Sequence, residues 1–144
     1  MQEIRYDLNL YNYEIVNDII IIKKKEVELT KEDFLNTDLT YSTIISANMN
    51  NDYLPLSYKG IVEKLLVRFS ARRLKNISLF KTRIKDGEFY DNGYYYIEEL
   101  NISYFGLSSN DCKKEIINLI YNLDVNFEIK IKLINGTIII FKKN

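Results

Sequence analysis

The sequence predicts a single α+β domain over residues 1–144, with an antiparallel sheet of hairpins and meanders and two main helices packed on one face. Three observations support this fold class. Short runs of alternating or β-branched residues recur along the chain. Asp-Gly and Asn-Gly pairs separate several of these runs and suit the tight turns of hairpins. Two longer stretches repeat their apolar residues at helical spacing, and no linker, repeat or low-complexity tract divides the chain.

The N-terminal region is predicted to consist of strands. Residues 2–10 alternate between apolar and polar side chains, which is typical of a strand with one wet face. Residues 13–16 and 19–23 flank Asn17 and Asp18, two residue types that tolerate a positive φ, so we expect a hairpin. The four consecutive isoleucines of its second strand suggest that this strand is covered on both faces.

A short helix and a further strand are expected next. Thr30, with Asp33 three residues later, forms a capping pattern that opens a helix of about two turns. Residues 39–46 are rich in Thr, Tyr and Ile and predict a strand. Residues 48–56 contain the only proline and are expected to form a loop.

The first main helix is predicted to begin near Ser57. At about 100° per residue, its apolar side chains fall on one face: Tyr58, Ile61, Val62, Leu65, Leu66 and Phe69. The same spacing places Arg72 and Arg73 on that face. Either the helix stops near Ser70, or the two arginines project past the end of the core.

Residues 76–105 predict a meander with tight turns at Asp86-Gly87 and Asn92-Gly93. Ser108, followed three residues later by Asp111, predicts the cap of a second helix over residues 110–123. The expected core face of that helix consists of Cys112, Ile116, Leu119, Ile120 and Leu123.

The last hairpin is predicted from two apolar runs around Asn135-Gly136, the residue pair of a two-residue type I′ turn. Across such a turn one face collects Phe127, Ile129, Ile131, Leu133, Ile138 and Ile140. Ile139 and Phe141 then point outward from an edge strand over residues 137–141, which offers a route to a homodimer.

The composition excludes several kinds of chemistry. The chain has no histidine, so it lacks His-paired nucleophiles and histidine metal ligands. Its single cysteine, Cys112, builds no thiolate zinc site and favours a reducing, cytoplasmic setting. Its five glycines match no phosphate-binding loop. We therefore predict no cofactor, no metal site and no enzymatic activity. Since no apolar run approaches the length of a membrane span, we also expect neither a signal peptide nor a membrane segment.

Two weaker chemical patterns remain. Glu128-Ile129-Lys130 is similar to the E-x-K strand pattern of a large family of metal-dependent nucleases, but no matching upstream aspartate is evident. An exposed strand face with alternating charges explains the triplet equally well. Asp86, Glu88 and Asp91 cluster at a turn and suit either a hard cation or solvent. Glu98 and Glu99, as neighbours on a predicted strand, are expected to point to opposite faces.

Residues 59–85 form a basic segment with nine Lys or Arg residues and one acid, between acidic flanks that bring the formal net charge to zero. The segment fits a phosphate backbone or an acidic protein surface, and its interleaved aromatic residues suit single-stranded nucleic acid. The candidate binding residues are Lys64, Arg68, Arg72, Arg73, Lys81 and Arg83. The alternative is that these residues pair with the acidic flanks of their own chain.

A second candidate surface is acidic. Its residues fall within thirteen positions: Glu26, Glu28, Glu32, Asp33 and Asp38. Together with exposed tyrosines they would present carboxylates to a basic protein partner, and such complementarity speeds association. The alternative is an ordinary solvated surface.

The function expected from these observations is non-catalytic protein binding. A small, histidine-free α+β chain with charged patches and twelve tyrosines resembles bacterial toxin-immunity proteins, and phage-encoded inhibitors of host defence, in overall character. That resemblance implies a stoichiometric inhibitor whose cognate partner is a protein such as a toxin, and it carries over no site residues. The abundance of Ile, Lys, Asn, Tyr and Phe also leads us to expect an AT-rich coding sequence, and such a coding bias is an alternative source of many of the tyrosines. The alternative function is nucleic-acid binding through the basic segment, with a metal-dependent nuclease acting through Glu128 and Lys130 as a third hypothesis.

Overall fold

A computed structural model describes residue 5 and residues 11–68, 76–89, 91 and 93–144 of the chain. In these residues the strands are β1 (Tyr11–Val16), β2 (Ile19–Lys24), β3 (Glu26–Leu29), β4 (Thr43–Met49), β5 (Asp52–Tyr53), β6 (Ile84–Asp86), β7 (Tyr94–Ile97), β8 (Ile102–Phe105), β9 (Phe127–Lys132) and β10 (Ile138–Lys143). The helices are α1 (Lys31–Leu35), α2 (Tyr58–Arg68) and α3 (Ser109–Leu123). The predicted strand over residues 2–10 lies outside the described residues.

The strands form three sheets. The largest has the order β3-β10-β9-β4-β5, in which β3 and β10 are parallel and the other pairs are antiparallel. A three-stranded antiparallel sheet has the order β6-β8-β7, and β1 pairs with β2 alone in a two-stranded hairpin. The predicted α+β class is confirmed, with one parallel pair in a largely antiparallel arrangement.

One apolar cluster joins the helices to the two larger sheets. The inner face of the five-stranded sheet buries alternate residues of its central strands, such as Ile129 and Phe141. Phe34 of α1 packs on that face, with its ring centroid 4.7 Å from that of Phe141. Helix α2 buries Ile61, Val62, Leu65 and Leu66, in agreement with the predicted apolar face. None of the described helices combines the length and the apolar character that crossing a bilayer requires.

The local signals for α1 and α3 are confirmed. Thr30 Oγ1 accepts a hydrogen bond from the backbone N–H of Asp33 at 3.1 Å, and Ser108 Oγ accepts one from Asp111 at 3.1 Å. Satisfying these free N–H groups stabilises the first turn of each helix. Four of the five residues of the predicted core face of α3 are buried, and Leu123 is half-buried.

A fully buried carboxylate, Glu115 on α3, connects the helix to two other parts of the chain. Its Oε2 accepts hydrogen bonds from Ser78 Oγ at 2.6 Å and from the Tyr104 hydroxyl at 2.9 Å. Its Oε1 accepts from the backbone N–H of Leu79 at 3.3 Å and from Asn118 Nδ2 at 3.0 Å. Four donors match the acceptor capacity of a carboxylate, so this side chain is buried with its hydrogen-bonding needs met.

The prediction for the last hairpin is right in location and wrong in register. The loop holds three residues between Leu133 and Thr137, which are joined by a hydrogen bond, and Gly136 takes the positive φ of 88° at its end. A two-residue turn would have shifted the pairing by one residue, and a one-residue slip exchanges the two faces. Ile139 and Phe141 are therefore buried, and β10 lies between β3 and β9 rather than at an edge. The predicted route to a homodimer through this strand is wrong.

Residues 76–105 also depart from the predicted meander. Strand β6 covers only Ile84–Asp86 and pairs with β8, not with the segment that follows it. The long connection is held by Ser103, whose hydroxyl donates to Gly87 O at 2.8 Å and accepts from Phe89 N at 2.9 Å. Glu98–Leu100 is a 3₁₀ turn, so the expectation that Glu98 and Glu99 lie on a strand is wrong.

The segment predicted as a loop over residues 48–56 contains a hairpin. Strand β4 starts four residues later than predicted and runs to Met49, and it turns into β5 through Asn50 and Asn51. Both asparagines have a positive φ, 50° and 68°, which suits a type I′ turn. The signal was present in the sequence, because Asn tolerates this conformation better than most residues.

The N-terminal hairpin of β1 and β2, hereafter the arm, turns at Asn17 and Asp18 as predicted, with φ of 50° and 64°. The expected burial of its isoleucines is wrong, because Ile19 and Ile20 are 63% and 62% exposed. Among the described residues neither strand of the arm pairs with another sheet.

We predict that Tyr104→Phe lowers the free energy of unfolding by about 1.5–3 kcal/mol, since it removes one donor from a buried carboxylate. Urea unfolding monitored by circular dichroism measures the change. Tyr53→Phe is the matched control, because that side chain is 91% exposed and its loss of a hydroxyl leaves no buried group unpaired. Equal stability of the two variants would contradict a structural role for the Glu115 network.

Candidate functional site

The five-stranded sheet has a second face, opposite the core, that is built from three rows of paired residues. We call it the outer face. The strand register aligns these rows: Glu26, Ile138, Lys132 and Thr43; Glu28, Ile140, Lys130 and Ser46; Lys142, Glu128, Asn48 and Tyr53. Side chains at paired positions point to the same side of a sheet, so strands β3, β10, β9, β4 and β5 all contribute to this surface.

The outer face is polarised across its strands. Its β3 edge carries Glu26 and Glu28, and the neighbouring strands carry Lys130 and Lys132. Lys130 Nζ lies 2.8 Å from Glu26 Oε1, and this bridge spans strand β10. The aliphatic stems of such side chains cover apolar neighbours, which accounts for the low exposure of Ile138 on this face.

Several charged groups of the outer face have no partner among the described residues. Glu28, Lys132 and Lys142 make no ion pair there and are exposed. Tyr53 is 91% exposed at the end of the third row. These four side chains are therefore available to a binding partner without breaking an interaction within the chain.

A shallow polar depression of about 120 Å³ lies at one end of the outer face. Its lining includes Asn48, Asn50, Asn126, Glu128 and Lys142. Asn50 N donates to Asn126 O at 2.9 Å, and Asn126 N donates to Asn50 Oδ1 at 3.0 Å. This reciprocal pair ties the β4–β5 turn to the start of β9 and holds the rim of the depression.

The five predicted acidic residues do not share one surface. Glu26 and Glu28 lie on the outer face, whereas Glu32 and Asp33 belong to α1, which packs on the core side of the same sheet. Asp38 is engaged within the chain, because its Oδ1 accepts hydrogen bonds from Asn110 Nδ2 at 2.8 Å and from Thr40. Of the five, only Glu26 and Glu28 lie on one surface, as the partner-binding prediction requires.

Asp38 belongs to a group of hydrogen bonds, hereafter the clamp, that joins Asn110 and Lys113 of α3 to the loop before β4. Asn110 Oδ1 accepts from Leu39 N at 2.8 Å, and the buried Lys113 ammonium donates to Thr37 O. The hydrogen bond from Asn110, assisted by those from Thr40, lowers the pKa of Asp38 from 3.8 to about 2. Burial lowers the pKa of Lys113. The clamp positions Leu39 in the core, and we assign these residues a structural role.

The four predicted basic residues that the structure describes lie on two separate elements. Lys64 and Arg68 are exposed on α2, one turn apart, and Lys64 shares a depression of about 210 Å³ with Glu63 and Glu99. Lys81 opens the 3₁₀ turn Lys81–Arg83. Arg72 and Arg73 lie outside the described residues, as does the end of the helix predicted near Ser70.

Arg83 belongs to a row of aromatic side chains. Its guanidinium lies 5.0 Å from the Phe105 ring centroid and 5.8 Å from that of Phe80. Tyr94 packs edge-on against Phe105 at 5.3 Å and against Phe89 at 4.8 Å. Cation–π contacts of this kind stabilise the position of the Arg83 side chain. They also keep its positive charge beside several half-buried aromatic rings.

The candidate catalytic groups are arranged as follows. Glu128 and Lys130 share the outer face, as the alternation of a strand requires. The ammonium of Lys130 is bound to Glu26, and no group of three Cys, Asp or Glu side chains in the described part of the chain is placed to hold a metal ion. Burial, with the nearby charges of Asp111 and Glu115, raises the pKa of the Cys112 thiol to about 11, so this cysteine stays protonated at neutral pH.

Sequence reasoning missed most of the outer face. The alternating charges of β9 indicate an exposed strand face, but no local pattern in the sequence singles out Lys132, Lys142 or Tyr53. The pairing that places them on one sheet face with Glu28 runs through the parallel contact of β3 with β10. Those strands are separated by more than one hundred residues, and no local pattern records such a contact.

We predict that the pKa of Asp38 makes stability depend on pH between about 4 and 2. The folded-state pKa, about 2, is below the ordinary value of 3.8. The contribution is therefore complete above pH 3.8 and is lost as the pH falls through the folded value. Asp38→Asn should destabilise the protein most above pH 4, and the difference from the wild type should shrink towards pH 2. Urea unfolding at several pH values measures it.

Asn110→Ala supplies the control for this prediction, since it removes the strongest cause of the lowered pKa. In that background Asp38→Asn should change the pH dependence much less. An unchanged pH dependence of the single variant Asp38→Asn would contradict the assignment.

Comparisons with known proteins give no relative against which to set these surfaces. No protein-family model, curated protein sequence or solved structure matches the chain.

Proposed function

We propose that this protein is a non-catalytic, protein-binding module that acts as a stoichiometric inhibitor, in the manner of a toxin-immunity protein, in the cytoplasm. The observation that supports it is the outer face. It is an open sheet surface on which Glu28, Lys132, Lys142 and the 91%-exposed Tyr53 have no ion-pair partner among the described residues.

The rigidity of this surface suits an inhibitor. Strands β10, β9 and β4 each pair with a strand on both sides, so their backbones are held before any partner arrives. Prior ordering reduces the entropy lost on binding. An inhibitor of this type needs no reactive group, because occupying the partner's active site or substrate channel is sufficient.

The side chains present are those that carry recognition in protein complexes. Charged groups of both signs steer association and set specificity, and an exposed tyrosine supplies a large contact area with few rotatable bonds. Because acids lie on the β3 edge and lysines lie on the strands beside it, the fitting partner carries its basic groups opposite Glu28 and its acidic groups opposite Lys132 and Lys142.

We predict that Glu28→Lys slows association with the partner on the order of tenfold at low salt, with a smaller change in dissociation. Glu32→Lys is the matched control. It makes the same charge change at an exposed acid of α1, the helix that packs on the core side of the sheet. Biolayer interferometry on the purified complex measures both rates. Equal effects of the two variants would contradict binding through the outer face.

The partner for that measurement is obtained by affinity purification of the tagged full chain from its native host, with and without nuclease. A single protein that is recovered in stoichiometric amount after nuclease treatment supports the proposal. Recovery that depends on nucleic acid, or no stoichiometric protein at all, counts against it.

Nucleic-acid binding is the second candidate function, and the aromatic row favours it. Arg83 lies beside Phe80 and Phe105. Lys85 is exposed on β6, the strand that directly follows Arg83. Bases of a single strand stack on such rings while cations contact the phosphates. The neutral net charge opposes this function, because it supplies little general attraction to phosphate.

If this second function holds, affinity for a fluorescent single-stranded oligonucleotide should fall steeply with salt. Arg83→Gln should reduce the slope of log affinity against log salt by about 0.7, the contribution of one phosphate contact. Arg68→Gln, at an exposed arginine of α2, is the comparison. Fluorescence anisotropy that detects no binding at about 50 mM salt would end this alternative.

A further inference from the structure

The loop between β9 and β10 contains a chemically labile pair, Asn135 followed by Gly136. Among the asparagines that the structure describes, Asn135 alone precedes a glycine. Asn92, which also precedes one, lies outside the described residues. The side-chain amide of an asparagine is open to attack by the main-chain nitrogen of the next residue, and a side chain on that residue hinders the attack. Because Gly136 has no Cβ, Asn135 lacks this protection.

The fold leaves this pair open to water and holds its side chain in place. Asn135 is exposed, and its neighbour Ile134 is 73% exposed. The Oδ1 atom of Asn135 accepts a hydrogen bond from the backbone N–H of Thr137 at 3.0 Å. This bond folds the side-chain amide back along the main chain toward Gly136. A donor at that oxygen also stabilises the negative charge that develops there when the amide carbon is attacked.

One contact opposes the reaction. The N–H group of Gly136 donates to Leu133 O at 2.9 Å, so this hydrogen bond has to open before the nitrogen can lose its proton. The bond lies in an exposed loop, and such regions open locally at a small fraction of the free energy of global unfolding. The contact therefore slows the attack in the folded chain without preventing it.

We propose that Asn135 is a site of spontaneous deamidation in the folded protein, through a cyclic succinimide formed with Gly136. The deprotonated nitrogen of Gly136 attacks Asn135 Cγ, and the bond from Cγ to the side-chain nitrogen breaks and releases ammonia. Water then opens the ring. Cleavage between Cγ and the Gly136 nitrogen gives aspartate, and cleavage between the main-chain carbonyl carbon and that nitrogen gives isoaspartate. One water is consumed for each ammonia released, and no oxidant or reductant takes part.

Both products change the chain at this loop. Each replaces a neutral amide by a carboxylate and so adds one negative charge to a chain whose formal net charge is zero. Isoaspartate also lengthens the main chain by one methylene group, inside the loop that joins β9 to β10 and sets their register. The proposal goes beyond the inhibitor function, because it needs no partner and uses no side chain of the outer face.

Peptide mapping of the full, folded chain during incubation at mildly alkaline pH tests the proposal. The tryptic peptide over residues 133–142 contains Asn135 as its only asparagine and has no glutamine. A mass increase of one dalton in this peptide therefore reports conversion at Asn135, and chromatography separates its aspartate and isoaspartate forms. A sample digested before incubation corrects for conversion during the digest.

Conversion at Asn135 should increase with time and with pH, because the attacking nitrogen has to lose its proton. It should be several-fold faster than at Asn36 and Asn126. These are internal controls, since both are exposed but precede residues that carry side chains, Thr37 and Phe127.

Gly136→Asp is the matched variant. Gly136 has a φ of 88°, and this chain already places aspartates at positive φ, at Asp18 and Asp124. The loop should therefore form, which circular dichroism and urea unfolding check, while the new side chain hinders the attack. Conversion at Asn135 should slow several-fold in this variant.

Three outcomes would overturn the proposal. One is a peptide over residues 133–142 that keeps its mass in the folded chain but converts in urea, which would show that the hydrogen bond of Gly136 protects Asn135. Another is an equal rate in the wild type and in Gly136→Asp, and the third is conversion at Asn135 that is no faster than at Asn36 and Asn126.

Discussion

The position of α3 relative to the rest of the fold depends on one buried carboxylate, that of Glu115. Its donors come from the helix itself, from the segment at Ser78 and Leu79, and from Tyr104 on the central strand of the three-stranded sheet. A carboxylate in an apolar interior without such partners is strongly unfavourable. All the donors must therefore lie within hydrogen-bonding distance of Glu115 in the folded core. This requirement fixes the relative positions of three regions that are distant in sequence.

The outer face depends on a different constraint, the parallel pairing of β3 with β10. This contact makes β10 a central strand and places the carboxylates of β3 in the same rows as the lysines of β9. The surface that results has both signs of charge within a few ångströms, on a backbone held from both sides. Such a surface discriminates between partners through charge complementarity, which is the property that an inhibitor of one protein requires.

The arm and the outer face are both exposed sheet surfaces, but they differ in the side chains that they present to solvent. The outer face is covered with charged side chains, and these keep an open sheet soluble and discourage unintended pairing. The arm leaves isoleucines exposed on a hairpin that pairs with no other described strand. An apolar two-stranded hairpin is marginal by itself, and the arm leaves several of its apolar side chains in contact with solvent.

Local chemistry accounts for the predictions that are confirmed. Thr30 and Ser108 cap their helices because each side chain satisfies an N–H group three residues away. Asn17 and Asp18 form a turn because both tolerate a positive φ. The apolar stripe of α3 is recognisable because its period matches the helix. Each of these signals lies within a few residues of the structure that it specifies.

The sequence by itself determined the α+β class, the helix starts, the apolar stripes and the positions of the first and last hairpins, because those depend on neighbouring residues. Only the tertiary structure decided the three-residue loop before Thr137, and with it that Ile139, rather than Ile138, packs in the apolar cluster. It also decided that Asp38 is hydrogen-bonded to Asn110 and that Glu28 shares a row of the outer face with Lys130. The exposure of Ile15, Ile19 and Ile20 in the arm was likewise decided there. These outcomes depend on strand register and on contacts between distant segments, where a shift of one residue exchanges the faces of a strand and no local pattern distinguishes the two alternatives.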